Sequence, residues 1–485
     1  MSLTPAPDAI VVGSGPNGLA AAITLAREGL SVRVYEAALT AGGGTRSAEL
    51  TLPGFTHDVC ATVAATALIS PFIEALDLGR MGVELAHPEI PVAHALDERA
   101  VLLHREIDAT AEGLGRDGAA YRRLMGPIVS AAGEGRLLPW ILGPVARFPR
   151  HPLAAARFGL PALASTTVLT KLLYREAPAR ALHAGLSAHA MLPLRQPATA
   201  SFGLVLALAA HLVGWPVVRG GMQRFADALV SELRALGGEV VTGHRVDHLS
   251  ELPPTRAVLL DVTPRAAASI AGEQLPDRYR RALERFRYGP GVCKVDWALS
   301  EPIPWRHPEL ARAGTVHLGG DLAEIDASER TVHRGRLPER PFVLLVQPTV
   351  ADPSRAPEGR HIAWAYAHVP HGSDVDLSAR METEIERHAP GFRETVIGRS
   401  VRTAREMERY DANYVGGDIN GGLQDLRQVL ARPVMGRDPY ATPVRGLYLC
   451  SSSTPPGGGV HGMSGHLAAR SALRREFGVE RARRS

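Results

Sequence analysis

Lysine is almost missing from this chain. Of 54 basic residues in 485, only Lys171 and Lys294 are lysine, and the rest are arginine. Codon bias in a GC-rich genome accounts for the ratio but not for which two remain. Asparagine is as scarce, at Asn17, Asn413 and Asn420, and none of the three begins a glycosylation sequon. Three cysteines (Cys60, Cys293, Cys450) form no C-x-x-C pair. That excludes a disulfide framework, a cysteine-rich zinc site and a dithiol redox centre. The 19 histidines include no H-E-x-x-H, so no metal site is expected. Net charge is 54 − 50 = +4 with the basic residues spread along the chain, which argues against nucleic acid as a partner. The N-terminus lacks the basic and apolar regions of a secretory signal and carries Asp8. A reducing, cytoplasmic setting is the expectation.

What remains is globular, with 45% hydrophobic and 21% charged residues. The length suits two domains of ordinary size. Ala9-Ile10-Val11-Val12 reads as a buried strand. Gly13-Ser14-Gly15-Pro16-Asn17-Gly18 follows, and Leu19 to Glu28 reads as a helix of small apolar residues stopped by Gly29. Val32 to Tyr35 is a second strand with Glu36 at its end. Strand, G-x-G-x-x-G, helix, strand, acid is the order of a dinucleotide-binding unit. Gly13 permits the tight turn, Gly15 lets backbone approach a pyrophosphate, and Gly18 lets the helix lie close on the strand. The helix N-terminus offers N–H groups and the positive end of its dipole to phosphates. Glu36 can accept from ribose hydroxyls.

A second glycine cluster, Ala41-Gly42-Gly43-Gly44-Thr45-Arg46, helps choose the dinucleotide. A nicotinamide cofactor has no evident use for it. FAD does, because its ribityl-pyrophosphate arm must be held again, and backbone N–H groups with Arg46 suit that anion. The alternative is a plain glycine loop with a solvated arginine. Further on, Gly446 to Cys450 reads as a strand, Ser451 to Gly465 as a glycine-rich turn, and Leu467-Ala468-Ala469 as a small-residue helix. That helix N-terminus can face the pyrimidine end of an isoalloxazine ring. Gly462-Met463-Ser464-Gly465 falls short of a nucleophile elbow because His466 stands in place of the closing glycine. A serine hydrolase is thereby excluded.

With Pro53-Gly54-Phe55, Gly220-Gly221-Met222, Gly417-Asp418-Ile419, Arg432-Pro433 and Thr442-Pro443 added, the chain resembles the phytoene desaturase branch of the flavin amine oxidase superfamily over nearly its whole length. That branch includes carotenoid desaturases, carotenoid isomerases and retinol saturases. The resemblance implies FAD, backbone around Val246 against adenine, and Ser451 to Gly465 against ribityl and flavin. Motif and resemblance together place cofactor contacts at Gly13, Gly15, Pro16, Asn17, Gly18, Glu36, Gly43, Gly44, Thr45, Arg46, Val246, Ser452, Gly459, Val460, Gly462 and Met463. Ser451-Ser452 stands where related flavoproteins often have Gly-Asp, so a hydroxyl would replace an acidic contact to the ribityl-phosphate arm.

The expected fold is α/β, a Rossmann-like FAD-binding domain with an interleaved α+β substrate domain. Residues 1–85, 220–285 and 425–485 are assigned to the cofactor domain, and 86–219 (mainly helical) and 286–424 to the substrate domain. Gln223 to Leu236 reads as an amphipathic helix, Glu239 to Thr242 and Ala257 to Leu260 as strands, and Pro264 as the opening of another helix. Ala200 to Val218 and Phe158 to Leu173 are apolar. Core or pocket-lining helices are the favoured reading, and a monotopic membrane face with Arg147, Arg150 and Arg157 at its rim is the alternative. The Arg-rich tail from Arg470 to Arg484 reads as solvated.

Most of the chemistry would belong to the flavin. Lys294 lies in the alternating strand Val292 to Leu299. Its context is similar to the strand in flavin amine oxidases whose lysine holds a water beside N5, and a compact ammonium suits that place better than a guanidinium. The alternative is an edge-strand lysine facing solvent. His461 either orients ring or substrate, or is a structural turn histidine. His183, His189 and Arg195 are candidates to meet a polar substrate group. There is no second G-x-G-x-x-G, so the electron partner is expected to be oxygen, a quinone or a transient NAD(P)H. The leading expectation is an FAD-dependent oxidoreductase that moves a hydride to or from a carbon of an apolar isoprenoid or polyene-like substrate. An amine oxidase comes second, since aromatic content is 5% and no aromatic cage is recognisable. A flavin-dependent isomerase or a flavoprotein scaffold comes third.

Overall fold

The computed structural model describes residues 6–144 and 147–479, so the end of the Arg-rich tail, from 480 onward, lies outside the described residues. Two sheets organise the chain. The first is parallel, in the order Leu447–Leu449, Ala257–Leu260, Ala9–Val12, Val32–Tyr35, Glu239–Val241. Its strands come from three separated stretches of sequence. Ala9 and Val11 point into one core and Ile10 and Val12 into another, as parallel strands covered on both faces must. Helix Pro16–Ala26 lies on one face and packs against Gln223–Ala235 and Met463–Glu476. Small residues allow that approach: a Cβ at Gly465 would stand 1.7 Å from the Asn17 carbonyl oxygen. Helix Pro264–Ala271 covers the other face, its N-terminus capped by the Thr263 hydroxyl.

The second sheet has seven strands, in the order Val396–Arg402, Gly291–Leu299, His361–Val369, Val343–Val346, Ala313–Leu318, Ile90–Ala95, Ala100–Leu103. All neighbours are antiparallel except Ala313–Leu318 with Ile90–Ala95. The stretch 86–219, read as mainly helical, therefore also supplies two strands. Pro91 lowers the strand propensity of the first of them, and pairing to a distant strand overrides it.

Alternation gives this sheet two unlike faces. Cys293, Val295, Trp297, Ala363, Ala365, Val343 and Leu345 pack into a hydrophobic core with Met381 and Ile385 of helix Ser378–His388. The opposite face carries Lys294, Asp296, Trp364, Tyr366, Leu344, Val346, Thr315 and His317 in register across four strands. Leu344, Val346 and Trp364 of that face pack with Ala184 and Ala188 of helix Ala177–Ala188. The apolar stretch at 200–218 forms helix Ala200–Val213, with Leu204, Ala207, Leu208 and Ala210 buried. The greasy stretch ending at Leu173 forms two helices, Pro152–Leu163 and Thr166–Leu173, bent by 108°. Among the described residues no single helix is long and apolar enough to cross a membrane.

Candidate functional site

A cavity of about 590 Å³ lies where the two sheets meet. One end is built from the glycine turn. Gly13 takes φ +102°, and a side chain there would stand 2.7 Å from the Asp261 carbonyl oxygen. Helix Pro16–Ala26 starts at Gly15 with no side-chain cap and no acid in its first turn. Pro16 has no N–H, so the Gly15 and Asn17 N–H groups, which have no partner among the described residues, are the ones left for an anion. Gly18 does not line the cavity. A Cβ there would be 2.1 Å from the Gly13 carbonyl oxygen, and its N–H donates to Asp261 Oδ2 at 2.8 Å.

Glu36 is buried at this end and accepts from the Ser14 N–H at 2.9 Å, the Ser14 hydroxyl at 2.6 Å and the Ala38 N–H at 2.8 Å. These bonds fix the carboxylate where the motif places a ribose partner. Val246 lines the cavity beside it, with His244 against the Tyr35 ring at 4.8 Å. The Glu36 carbonyl accepts from the His244 N–H and anchors that segment.

Gly43, Gly44, Thr45 and Arg46 also line the cavity, in and just after a single 3-10 turn. Arg46 is not solvated. Its Nε donates to the Gly43 carbonyl at 3.0 Å, its guanidinium lies 4.8 Å over the Tyr410 ring, and Asp411 is 3.8 Å away. Ser452, Gly459 and Val460 complete this stretch, and Asn17 Nδ2 donates to the Ser452 hydroxyl at 3.3 Å. Asn17 Oδ1 and Thr62 Oγ1 are buried and without a partner among the described residues, although both residues line the cavity. An uncapped helix start, a glycine cradle and orphaned polar atoms fit an elongated polar ligand of the dinucleotide kind.

The other end is apolar and aromatic, lined by Leu206, Trp215, Leu344, Val346, Trp364 and Tyr366. Trp364 and Tyr366 stack at 25° with ring centroids 6.0 Å apart. Polar groups at this end include Thr315, whose hydroxyl has no partner among the described residues, and His189, whose carbonyl accepts from Asn420 Nδ2 at 3.3 Å. His189 Nε2 lies 3.2 Å from His317 Nε2, and burial pulls its pKa down to about 3. His183 and Arg195 do not reach the cavity. His183 is buried near Tyr174, and Arg195 pairs with Asp326 at 2.8 Å.

Lys294 is 2% exposed, on a strand flanked on both sides, so it is not an edge lysine facing solvent. It does not line the cavity either. Its ammonium pairs with Asp296 and lies 4.8 Å from the Trp364 ring centre, behind the aromatic wall. Burial alone would raise the Asp296 carboxyl, but Lys294 and His57 outweigh it and hold it below the usual range.

His461 is also placed differently from an acid or base facing the ligand. It is buried, its Nδ1 accepts from the Met463 N–H at 3.1 Å, and its Nε2 donates to the Gly457 carbonyl at 3.2 Å. Burial lowers its pKa to about 4, so both nitrogens of a neutral ring are used in closing the turn before helix Met463–Glu476. Gly462 and Met463 are likewise off the cavity, and a Cβ at Gly462 would meet Ala20 at 2.9 Å. The turn serves helix packing.

Sequence reasoning missed three features. Asp261, at the end of strand Ala257–Leu260, lines the cavity beside Gly13 and Gly15, and burial raises its pKa to about 7. The aromatic pair was visible as alternation in Ala363-Trp364-Ala365-Tyr366. All three asparagines of the chain line the cavity: Asn17, Asn413 and Asn420. Their scarcity was itself a signal.

Comparison with known proteins agrees with this geometry. A family model for an NAD(P)-binding Rossmann-like domain matches residues 11–76. The rat pyridine nucleotide-disulfide oxidoreductase domain-containing protein 2 is 28% identical, covering 97% of this chain and 94% of its own length. The zeta-carotene-forming phytoene desaturase of Myxococcus xanthus is 26% identical over 93% of this chain and 90% of its own. Putrescine oxidase, solved with putrescine bound, superposes with a TM-score of 0.61 at 18% identity, covering 97% of this chain and 99% of its own. The resemblance to a phytoene desaturase-like branch of the flavin oxidoreductase superfamily is borne out, as is the α/β Rossmann-like fold.

Proposed function

We propose that this chain, a flavin-type oxidoreductase of the pyridine nucleotide-disulfide and amine oxidase superfamily, uses FAD to exchange a hydride with a carbon of an apolar isoprenoid or polyene-like substrate. A C–C bond is thereby desaturated or saturated. The carrying observation is the continuity of the cavity, which joins a dinucleotide cradle at Gly13–Asn17 and Glu36 to a compartment walled by Leu206, Trp215, Leu344, Val346, Trp364 and Tyr366. Such walls suit hydrocarbon. The M. xanthus relative is a phytoene desaturase by name, which supports the same substrate class.

When bound, FAD supplies the two-electron chemistry. The protein binds, orients and keeps the compartment dry. The start of helix Pro16–Ala26 and Arg46 hold the pyrophosphate arm, Glu36 and Val246 the adenosine end, and Ser452, Gly459 and Val460 the remainder. The aliphatic and aromatic walls exclude water and hold the substrate at reacting distance, about 3–3.5 Å in enzymes generally. Lys294, fixed by Asp296, is a positioning residue that steadies the Trp364 indole from behind. Oxygen, a quinone or a transient NAD(P)H is the electron partner.

The stacked Trp364 and Tyr366 rings favour amine oxidation as a second reading. One experiment separates the two. Protein reconstituted with FAD is expected to lose its visible flavin band anaerobically on addition of a detergent-dispersed isoprenoid alkene. In the saturating direction NADPH bleaches it and a polyene restores it. Bleaching by simple amines, with hydrogen peroxide released in air, would move the assignment to amine oxidation. A band that alkene, NADPH and amine all leave unchanged would overturn both.

A further inference from the structure

Twelve large hydrophobic residues of the described chain are exposed, and six of them lie within the 25 residues from Phe148 to Leu172. Helix Pro152–Leu163 buries Ala154, Ala155, Phe158 and Ala162 and turns Leu153, Leu160 and Leu163 outward with Arg157. Helix Thr166–Leu173 turns Val168 and Leu172 outward with Lys171. Exposure runs from 52% at Val168 to 88% at Phe148. A surface helix in water carries a polar outer stripe. These two carry leucine and valine with one cation each.

The charge is as one-sided as the hydrophobicity. Residues 135–175 include six arginines and lysines and no Asp or Glu. The ion pairs nearby, Arg116–Glu176, Arg122–Asp108 and Arg136–Glu134, leave Arg123, Arg147, Arg150, Arg157 and Lys171 without a carboxylate partner among the described residues. Arg123 and Arg157 also border a groove of about 380 Å³ whose other walls include Leu124, Pro161, Leu172 and Leu173.

We propose that this face docks on an anionic lipid bilayer. The outward leucines, Val168 and Phe148 enter the boundary between headgroups and acyl chains while the unpaired cations meet lipid phosphates. The 108° bend and the shortness of the helices fit a surface that lies in one leaflet, since 12 residues reach only about 18 Å against a hydrocarbon core of ~30 Å. A second copy of the chain is the wrong occupant, because pairing this face with itself would oppose cations to cations with no acid between them. Helix Pro152–Leu163 packs on Ala200–Val213, whose Leu206 lines the cavity. The docked face thus stands one helix away from the apolar compartment.

The test is co-sedimentation of the full chain with vesicles of phosphatidylcholine, with and without about one-third phosphatidylglycerol. Binding to the anionic vesicles is expected, about tenfold tighter than to phosphatidylcholine alone. Leu160→Glu with Leu172→Glu should weaken it at least about tenfold. Arg157→Gln with Lys171→Gln should remove the preference for anionic lipid. All four positions are exposed, so melting temperatures should hold. The proposal fails if the wild-type chain sediments with neither vesicle, or if the glutamate variant binds as well as wild type. It also fails if that variant merely dissociates a dimer that has no vesicle affinity. No turnover is needed, so the result stands apart from the proposed reaction.

Discussion

The glycine-turn end of the cavity is walled by backbone: a Cβ at Gly13 would stand 2.7 Å from the Asp261 carbonyl oxygen, Cβ atoms at Gly15 and Gly43 would come within 3.0 and 3.1 Å of their neighbours, and the Gly15 and Asn17 N–H groups have no partner among the described residues. At the other end the chain offers side chains, Trp364, Tyr366, Thr315 and Leu344, from alternating positions of three strands. The two ends should therefore answer differently to substitution. Backbone contacts tolerate most side-chain change but not an added Cβ, whereas the side-chain wall governs which substrate fits and leaves the cofactor alone.

Gly18→Val should break the first end outright. Its Cβ would sit 2.1 Å from a backbone oxygen that cannot move, so a loss above about 4 kcal/mol and disappearance of bound flavin are expected by thermal melt and absorbance. Next in size is Lys294→Met, which strands the buried Asp296 carboxylate and should cost about 3–5 kcal/mol. The double variant Lys294→Met with Asp296→Leu should recover most of it in denaturant titration. Trp364→Ala should lower turnover about 100-fold by loosening the substrate wall while flavin content stays at the wild-type level. Loss of flavin there would erase the distinction between the ends.

The smallest effect concerns Asp261. Burial raises its pKa from 3.8 to about 7, with the Gly18 N–H pulling the other way. A carboxyl raised in the folded state contributes stability that is full below pH 3.8 and lost as pH climbs through about 7. Above that pH its charge sits beside the Gly13–Asn17 turn proposed to take the phosphates. Affinity for FAD should fall about tenfold between pH 6 and pH 8, and Asp261→Asn should flatten the profile in a fluorescence-quenching titration.

The same contrast explains what could be read in advance. Ala9 to Glu36 was legible because glycine spacing and strand–helix punctuation are local. Helix Gln223–Ala235 followed from its amphipathic pattern and strand Ala257–Leu260 from a short apolar run. The side-chain end depends on register between distant strands. Lys294 was noticed for its rarity, yet its place behind Trp364 needed the pairing of Gly291–Leu299 with His361–Val369. His461 stood open between orienting ring or substrate and closing the turn, because the bonds to Gly457 and Met463 are set by a local geometry that spacing does not show. For Phe158 to Leu173 the core reading was favoured over a membrane face because an apolar helix carries no mark of which face is covered.

The claim that the cavity holds FAD is tested most directly by identifying what the protein binds. Purified protein, incubated with FAD and freed of excess, is expected to retain close to one FAD per chain, released by acid and identified by mass. Wild-type protein that retains no flavin, or that takes up a nicotinamide dinucleotide in its place, would contradict the account.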